Sequence, residues 1–262
     1  MSWSKQNINL KSADQVDKMQ ASAEILASVF LEIRKLVVPG VTTKALDDAI
    51  EAMIREAGCT PSFKGYHGFP ASACISVNEE VVHGIPGDRV LVEGDIVGID
   101  IGVIKDRWHA DSAETIAVGQ VGEEAAKLLR VTRECLGLGM EAIAVGERIS
   151  VIGTAIEKHA RDNGFSVVET LVGHGIGRDL HEDPQVPNFR CFTHPDPVME
   201  EGLVIAIEPM INCGTKRVVT DRDEWTIRTA DRRLSAHFEH TVAVTADGPR
   251  ILTRRGSGIA AF

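Results

Sequence analysis

A long internal repeat constrains this chain more than any other feature. Residues 40–58 read GVTTKALDDAIEAMIREAG and residues 146–164 read GERISVIGTAIEKHARDNG, so Gly40/Gly146, Ala49/Ala155, Ile50/Ile156, Glu51/Glu157, Arg55/Arg161 and Gly58/Gly164 match at a constant offset of 106. Downstream, EGDIVGID (93–100) matches EGLVIAIE (201–208) at an offset of 108, and His83-Gly84-Ile85 is echoed by His174-Gly175-Ile176. Two amphipathic helices can match by chance. A helix, an HGI step and an apolar strand ending in an acid, occurring twice in the same order, is far harder to obtain that way. The spacing is too long for a solenoid, whose repeats run to 20–50 residues. Two similar α/β halves sharing one core are expected, over about 12–120 and 121–252. Residues 1–11 read as an N-terminal arm and 12–262 as one domain.

Helical periodicity places helices near 13–36, 42–57, 121–143 and 149–163. In the first, Ser12 and Gln15 form a capping box, and Val16, Met19, Ala23, Leu26, Phe30 and Ile33 share a face. Strands are expected near 73–77, 95–103, 108–118, 203–211 and 235–245, joined by short loops that favour antiparallel pairing. The fold class is therefore α/β (α+β), an antiparallel sheet covered by helices.

Four acids fall inside these strands. In DIVGIDIGV (95–103), Val97, Ile99, Ile101 and Val103 form one apolar face, and Asp100 lies on the other between Gly98 and Gly102, which open space around it. A turn centred on Lys105-Asp106 would set Asp111 directly opposite Asp100. Glu208 ends GLVIAIE, and Glu239 lies in SAHFEHTVAV. Burying one unpaired carboxylate costs several kcal/mol, and these strands hold few Lys or Arg. The whole chain is acidic, with 28 basic against 38 acidic residues and a net charge of −10. Divalent cations would resolve the conflict, since four carboxylates can hold two ions. His174, in a glycine-rich turn, would add one nitrogen; a lone histidine is more often a hydrogen-bonded core or surface residue. Oxygen-rich ligation suits manganese or ferrous iron.

Other chemistries fail on spacing. His181-Glu182-Asp183-Pro184 starts like a zinc-protease helix motif, but residue 185 is Gln and Pro184 opposes a helix. No phosphate loop is present, the acidic balance opposes duplex binding, and no apolar run spans a bilayer. Five cysteines without a C-x-x-C pair, and an N-terminus without a signal-peptide core, point to a reduced cytoplasmic protein.

The segments YHGFPASACISVNEEVVHGIPG (66–87), GIDIGVIKDRWHADSAET (98–115), GHGIGRDLHEDPQVPNF (173–189), AIEPM (206–210) and EWTIRTADRRLSAHFEHTV (224–242) resemble the methionine aminopeptidases, in the short bacterial type I form. The resemblance covers roughly 12–252 and implies the pita-bread fold with pseudo-twofold halves. It implies a dinuclear centre of cobalt, manganese, iron or zinc. Asp100 chelates one ion, Asp111 and Glu239 bridge, and His174 with Glu208 completes the second. It makes Glu208 the group that moves the proton of the attacking water, and His83 and His181 contacts to the scissile amide. Phe63, Tyr66, Phe69, Cys74 and Trp225 become walls of a methionine pocket. Leu180 stands where an aromatic is frequent, and Ser112 and Ala206 where threonine is. The implied activity removes N-terminal methionine before a small second residue, from peptides and nascent chains. Ribosome association and a monomeric state belong to the same reading, with no nucleic-acid motif and no membrane partner. A proline-specific aminopeptidase of the same fold usually carries an extra N-terminal domain; a binding protein on this scaffold would have lost ligands.

Overall fold

The computed structural model describes residues 7–256; the first six residues of the expected arm lie outside that range. Four long helices form close to their expected limits: α1 (Ala13–Leu36), α2 (Thr43–Glu56), α3 (Glu123–Glu141) and α4 (Ser150–Asp162). α1 starts on the Ser12–Gln15 capping box, and its Val16, Met19, Ala23, Leu26, Phe30 and Ile33 are all buried. α1 packs on the strands Ile96–Lys105 and Trp108–Ala117, and α3 packs on α4.

The repeat is visible in the backbone. Gly40 and Gly146 have φ of 95° and 92°, Gly58 and Gly164 of 72° and 84°, and Gly94 and Gly202 of 95° and 88°. All lie in the left-handed region where glycine carries no Cβ penalty. An isolated bridge pairs Thr42 with Val90 in the first half and Arg148 with Val198 in the second. Each half has its own apolar core. One centres on α1, α2 and the Ile96–Lys105 strand, the other on α3, α4 and the His240–Thr245 strand.

In the first half, Ile96–Lys105 pairs antiparallel with Ala73–Val77, Thr60–Pro61 and Trp108–Ala117. In the second, the strand order runs Gly248–Ile251, His240–Thr245, Val204–Ile207, Gly173–Gly175, Glu182–Val186. The halves meet along 111–115 and 237–241. There Glu239 N–H donates to the Ala113 carbonyl (2.9 Å), and Ala113 N–H to the Glu239 carbonyl (3.4 Å). Hydroxyls extend this seam. Thr241 Oγ1 accepts from Asp111 N–H and donates to the Asp111 carbonyl, and Thr115 Oγ1 does the same with His237.

Three strand expectations are corrected. The hairpin turns on Asp106-Arg107, both at positive φ, so Lys105 pairs with Trp108 and Asp100 faces Ala113, not Asp111. Asp111 faces Gly102. The acids are diagonal neighbours on one sheet face, which still allows their side chains to meet. The runs 203–211 and 235–245 are each interrupted, at Glu208-Pro209 and at Phe238-Glu239. Pro209 has no N–H for a ladder, and Glu239 spends its backbone on the other half. His174 lies in a short extended strand, Gly173–Gly175, rather than a turn.

Candidate metal centre

Asp100 reaches the site from the middle of a strand whose alternate residues Val97, Ile99, Ile101 and Val103 are fully buried. The space beside it differs from the expectation. A Cβ on Gly98 would meet only ordinary contacts, whereas one on Gly102 would lie 2.6 Å from Ser62 Cβ and 2.8 Å from Phe63 Cε1. Gly102 is therefore the seat on which Phe63 packs to form a wall.

Phe63, Tyr66, Phe69, Cys74, His83, Asp100, Asp111, His174, His181, Glu208, Trp225 and Glu239 all line a single cavity of about 180 Å³, together with His67 and Leu180. Every residue singled out for the site is thus brought to one place. The first half supplies Asp100 and Asp111, and the second His174, Glu208 and Glu239. One ligand atom from each of Asp111, His174 and Glu239 lies within 4.8 Å of the others. Asp100 and Glu208 face the same cavity outside that trio; Glu208 Oε1 is 3.6 Å from His174 Nε2. His174 Nδ1 donates to the Gly175 carbonyl at 2.8 Å, which leaves Nε2 with its lone pair free for a cation.

The electrostatics agree with a cation site. Burial raises Asp111, Glu208 and Glu239 well above the ordinary carboxyl range, and mutual repulsion adds to it. Burial pushes Asp100 up to about 7, and Asp100 and Asp111 are close enough to share a hydrogen bond. Burial also draws His174 down to about 3 and His83 to about 4, so both are neutral at physiological pH. Asp100 Oδ1, Asp111 Oδ1 and Glu239 Oε1 are buried without a hydrogen-bond partner. Glu114, on the same strand as Asp111, contrasts with them: Arg34 and Arg255 both reach it. Four carboxylates, three of them with an orphaned oxygen, and one neutral imidazole are a donor set for divalent metal.

Around this polar floor, Phe69 and Trp225 meet edge to face, with ring centroids 5.1 Å apart. Tyr66 Oη lies 2.9 Å from His181 Nδ1, and the His181 ring is 4.3 Å from that of His174. His83 has φ of 60°, a strained conformation for a residue with a side chain. The adjacent Gly84 admits no Cβ, since one would lie 2.3 Å from the Ile75 carbonyl oxygen.

Two histidines at the site were not singled out. His67 lines the cavity at φ 49° within a short 3-10 turn, a conformation with no sequence signal at a non-glycine residue. His237 is buried with Nε2 unpartnered, 3.9 Å from Glu208 Oε2. Alternation along SAHFEH sets 237 on the face of 239, and that signal could have found it.

The model of metallopeptidase family M24 matches residues 17–246. A methionine aminopeptidase of Clostridium perfringens is 49% identical over 246 residues, which cover 94% of this chain and 98% of the relative. The chain belongs to the methionine aminopeptidases of metallopeptidase family M24. The crystal structure of the methionine aminopeptidase of Thermotoga maritima superposes with a TM-score of 0.91 at 40% identity, covering 94% of this chain and 99% of that one. A prolidase of Pyrococcus furiosus, 20% identical with a TM-score of 0.77, shares the fold, and the match covers only 65% of its longer chain. The short form and the pita-bread architecture of the M24 enzymes both follow from these likenesses.

Proposed function

We propose that this chain removes N-terminal methionine from peptides and nascent proteins with a dinuclear metal centre. The convergence of five metal-type donors and five wall residues on one cavity carries the reading. Asp100, Asp111, His174, Glu208 and Glu239 would together hold the ions. Divalent ions in such a set lower the pKa of bound water towards neutrality and polarise a peptide carbonyl.

The chain's own residues supply the rest. Glu208, a carboxylate that lines the cavity 3.6 Å from His174 Nε2, would hold the proton of the attacking water. His83, neutral at pH 7, donates a hydrogen bond to the scissile amide or the developing oxyanion. His181 contacts the same amide. Its Nδ1 faces the Tyr66 hydroxyl; donation from that hydroxyl leaves the proton on Nε2. Phe63, Tyr66, Phe69, Cys74 and Trp225 enclose an unbranched, polarisable side chain. The whole of 12–262 acts as one domain built from two halves. A cytoplasmic, monomeric enzyme is the accompanying reading; no helix among the described residues is long and apolar enough to cross a membrane.

Hydrolysis of a Met-Ala-Ser peptide after exhaustive chelation, followed by restoration with one metal at a time and a count of bound ions, tests the proposal. Activity should vanish on chelation and return with about two ions per chain. Full activity in the stripped protein would overturn it. In competition, Met-Ala peptides should be cleaved well ahead of Met-Leu peptides, and equal rates would refute the small-residue rule.

A further inference from the structure

A charged pair is buried beside the cavity, and the proposed chemistry does not use it. Lys11, in the segment before α1, places Nζ 2.6 Å from Glu182 Oε2, with side-chain exposures of 1% and 8%. Water screens such a pair little. Replacing a buried ion pair with apolar residues is often neutral or stabilising, so stability alone does not account for it.

The hydrogen bonds around Glu182 point to another role. While Oε2 takes Lys11, Oε1 accepts the backbone N–H groups of Arg178 (2.8 Å) and Asp179 (3.3 Å). One carboxylate thereby ties the start of the 177–182 turn to its end. That turn carries Leu180 and His181, both of which line the cavity. Gly177 makes room for the arrangement, since a Cβ there would lie 2.6 Å from both Glu182 Oε1 and Lys11 Cε. Lys11 is itself fixed. Its N–H donates to the Gly202 carbonyl at 2.7 Å, and its Nζ also donates to the Asn9 carbonyl. Gly202 admits no Cβ, which would sit 2.3 Å from the Lys11 carbonyl oxygen. Further out, Asn7 N–H donates to Asp183 Oδ2 at 3.0 Å.

We infer that Lys11 is a positioning residue for catalysis: through Glu182 it holds the 177–182 turn so that His181 meets the substrate amide. Lys11 then serves the substrate site through Glu182 rather than by contact with substrate. This rests on the role proposed for His181, and a double-mutant cycle separates the two.

Lys11→Met, His181→Ala and the double variant are compared on a Met-Ala-Ser peptide, with bound metal and urea midpoints measured alongside. Lys11→Met should lower kcat/KM roughly tenfold with bound metal unchanged, and Lys11→Arg should recover part of the loss. In the His181→Ala background, Lys11→Met should change kcat/KM less than about twofold. A full and undiminished effect in that background would show a merely structural role and overturn the inference. So would an unaltered kcat/KM in the single variant. If His181→Ala alone leaves kcat/KM unchanged, the role of His181 fails first and the inference with it. Should Lys11→Met not fold, Glu182→Gln gives the same cycle.

Discussion

His83 and His174 occupy matching HGI steps, yet the backbone treats them differently. His174 is extended within a strand, with Nδ1 tied to its neighbour's carbonyl, whereas His83 sits at φ 60°. One is fixed with its free lone pair beside the carboxylates of Asp111, Glu208 and Glu239, and the other is a neutral imidazole lining the same cavity. Different losses should follow. His83→Ala should keep its metal and lose about 3–4 kcal/mol of transition-state stabilisation, a hundred- to thousandfold drop mainly in kcat. His174→Ala should bind metal weakly and regain part of its activity with excess ion. Calorimetric metal titration beside steady-state kinetics decides between them. Metal lost from His83→Ala and kept in His174→Ala would mean that the roles are reversed.

Among the elements, the helices were legible to within two residues at each end, because capping residues, apolar spacing and glycines all act locally. The strands bearing Glu208 and Glu239 were not. The break at Glu208-Pro209 follows from Pro209, whose missing N–H was a local signal; the break at Phe238-Glu239 comes with hydrogen bonds that Glu239 makes to Ala113 of the other half, a distant partner that no local pattern encodes. The hairpin register failed by two residues for a similar reason, since a polar turn can centre on Lys105-Asp106 or on Asp106-Arg107 equally well. The site residues themselves were legible because acids within apolar strands violate burial so plainly, and because the surrounding segments resemble a known family. Packing between elements yields a further expectation. A Cβ on Gly153 of α4 would lie 2.4 Å from the carbonyl oxygens of both Pro187 and Phe189, while one on Gly139 of α3 would meet the tip of Ile156 at 2.9 Å. Backbone cannot yield as a flexible side chain can. Gly153→Ala should therefore destabilise by about 1–3 kcal/mol despite alanine's better helix propensity. Gly139→Ala should cost clearly less. Urea denaturation of both variants checks the order.

At the scale of the whole molecule, carboxyls from both halves are buried together in one cavity, and pH should expose the cost. Burial lifts Asp100 to about 7 and Asp111, Glu208 and Glu239 well above the ordinary carboxyl range, while it draws His83 and His109 down to about 4 and His174 and His237 to about 3. Between about pH 4 and 6.5 the two sets oppose each other: unfolding releases protons from the carboxyls and takes them up on the histidines. Above about 7.5, a unit past the ordinary histidine value, the unfolded imidazoles are mostly neutral and the carboxyls dominate the difference. The folded metal-free chain then holds protons that the unfolded chain has lost, so its stability falls as pH rises. Metal replaces those protons and should abolish the fall. Thermal melts from about pH 7.5 to 8.5, with chelator and with excess manganese, test this; a rising Tm in the chelated protein would contradict it. The same division of ligands has a consequence in time. Asp100 and Asp111 belong to the first half, and His174, Glu208 and Glu239 to the second. Ribosomes build a chain from its N-terminus, so the two proposed ligands of the first half are translated before the three of the second. If all five are needed, the proposed centre should assemble only after Glu239 has been made, and the growing polypeptide should be inactive until then.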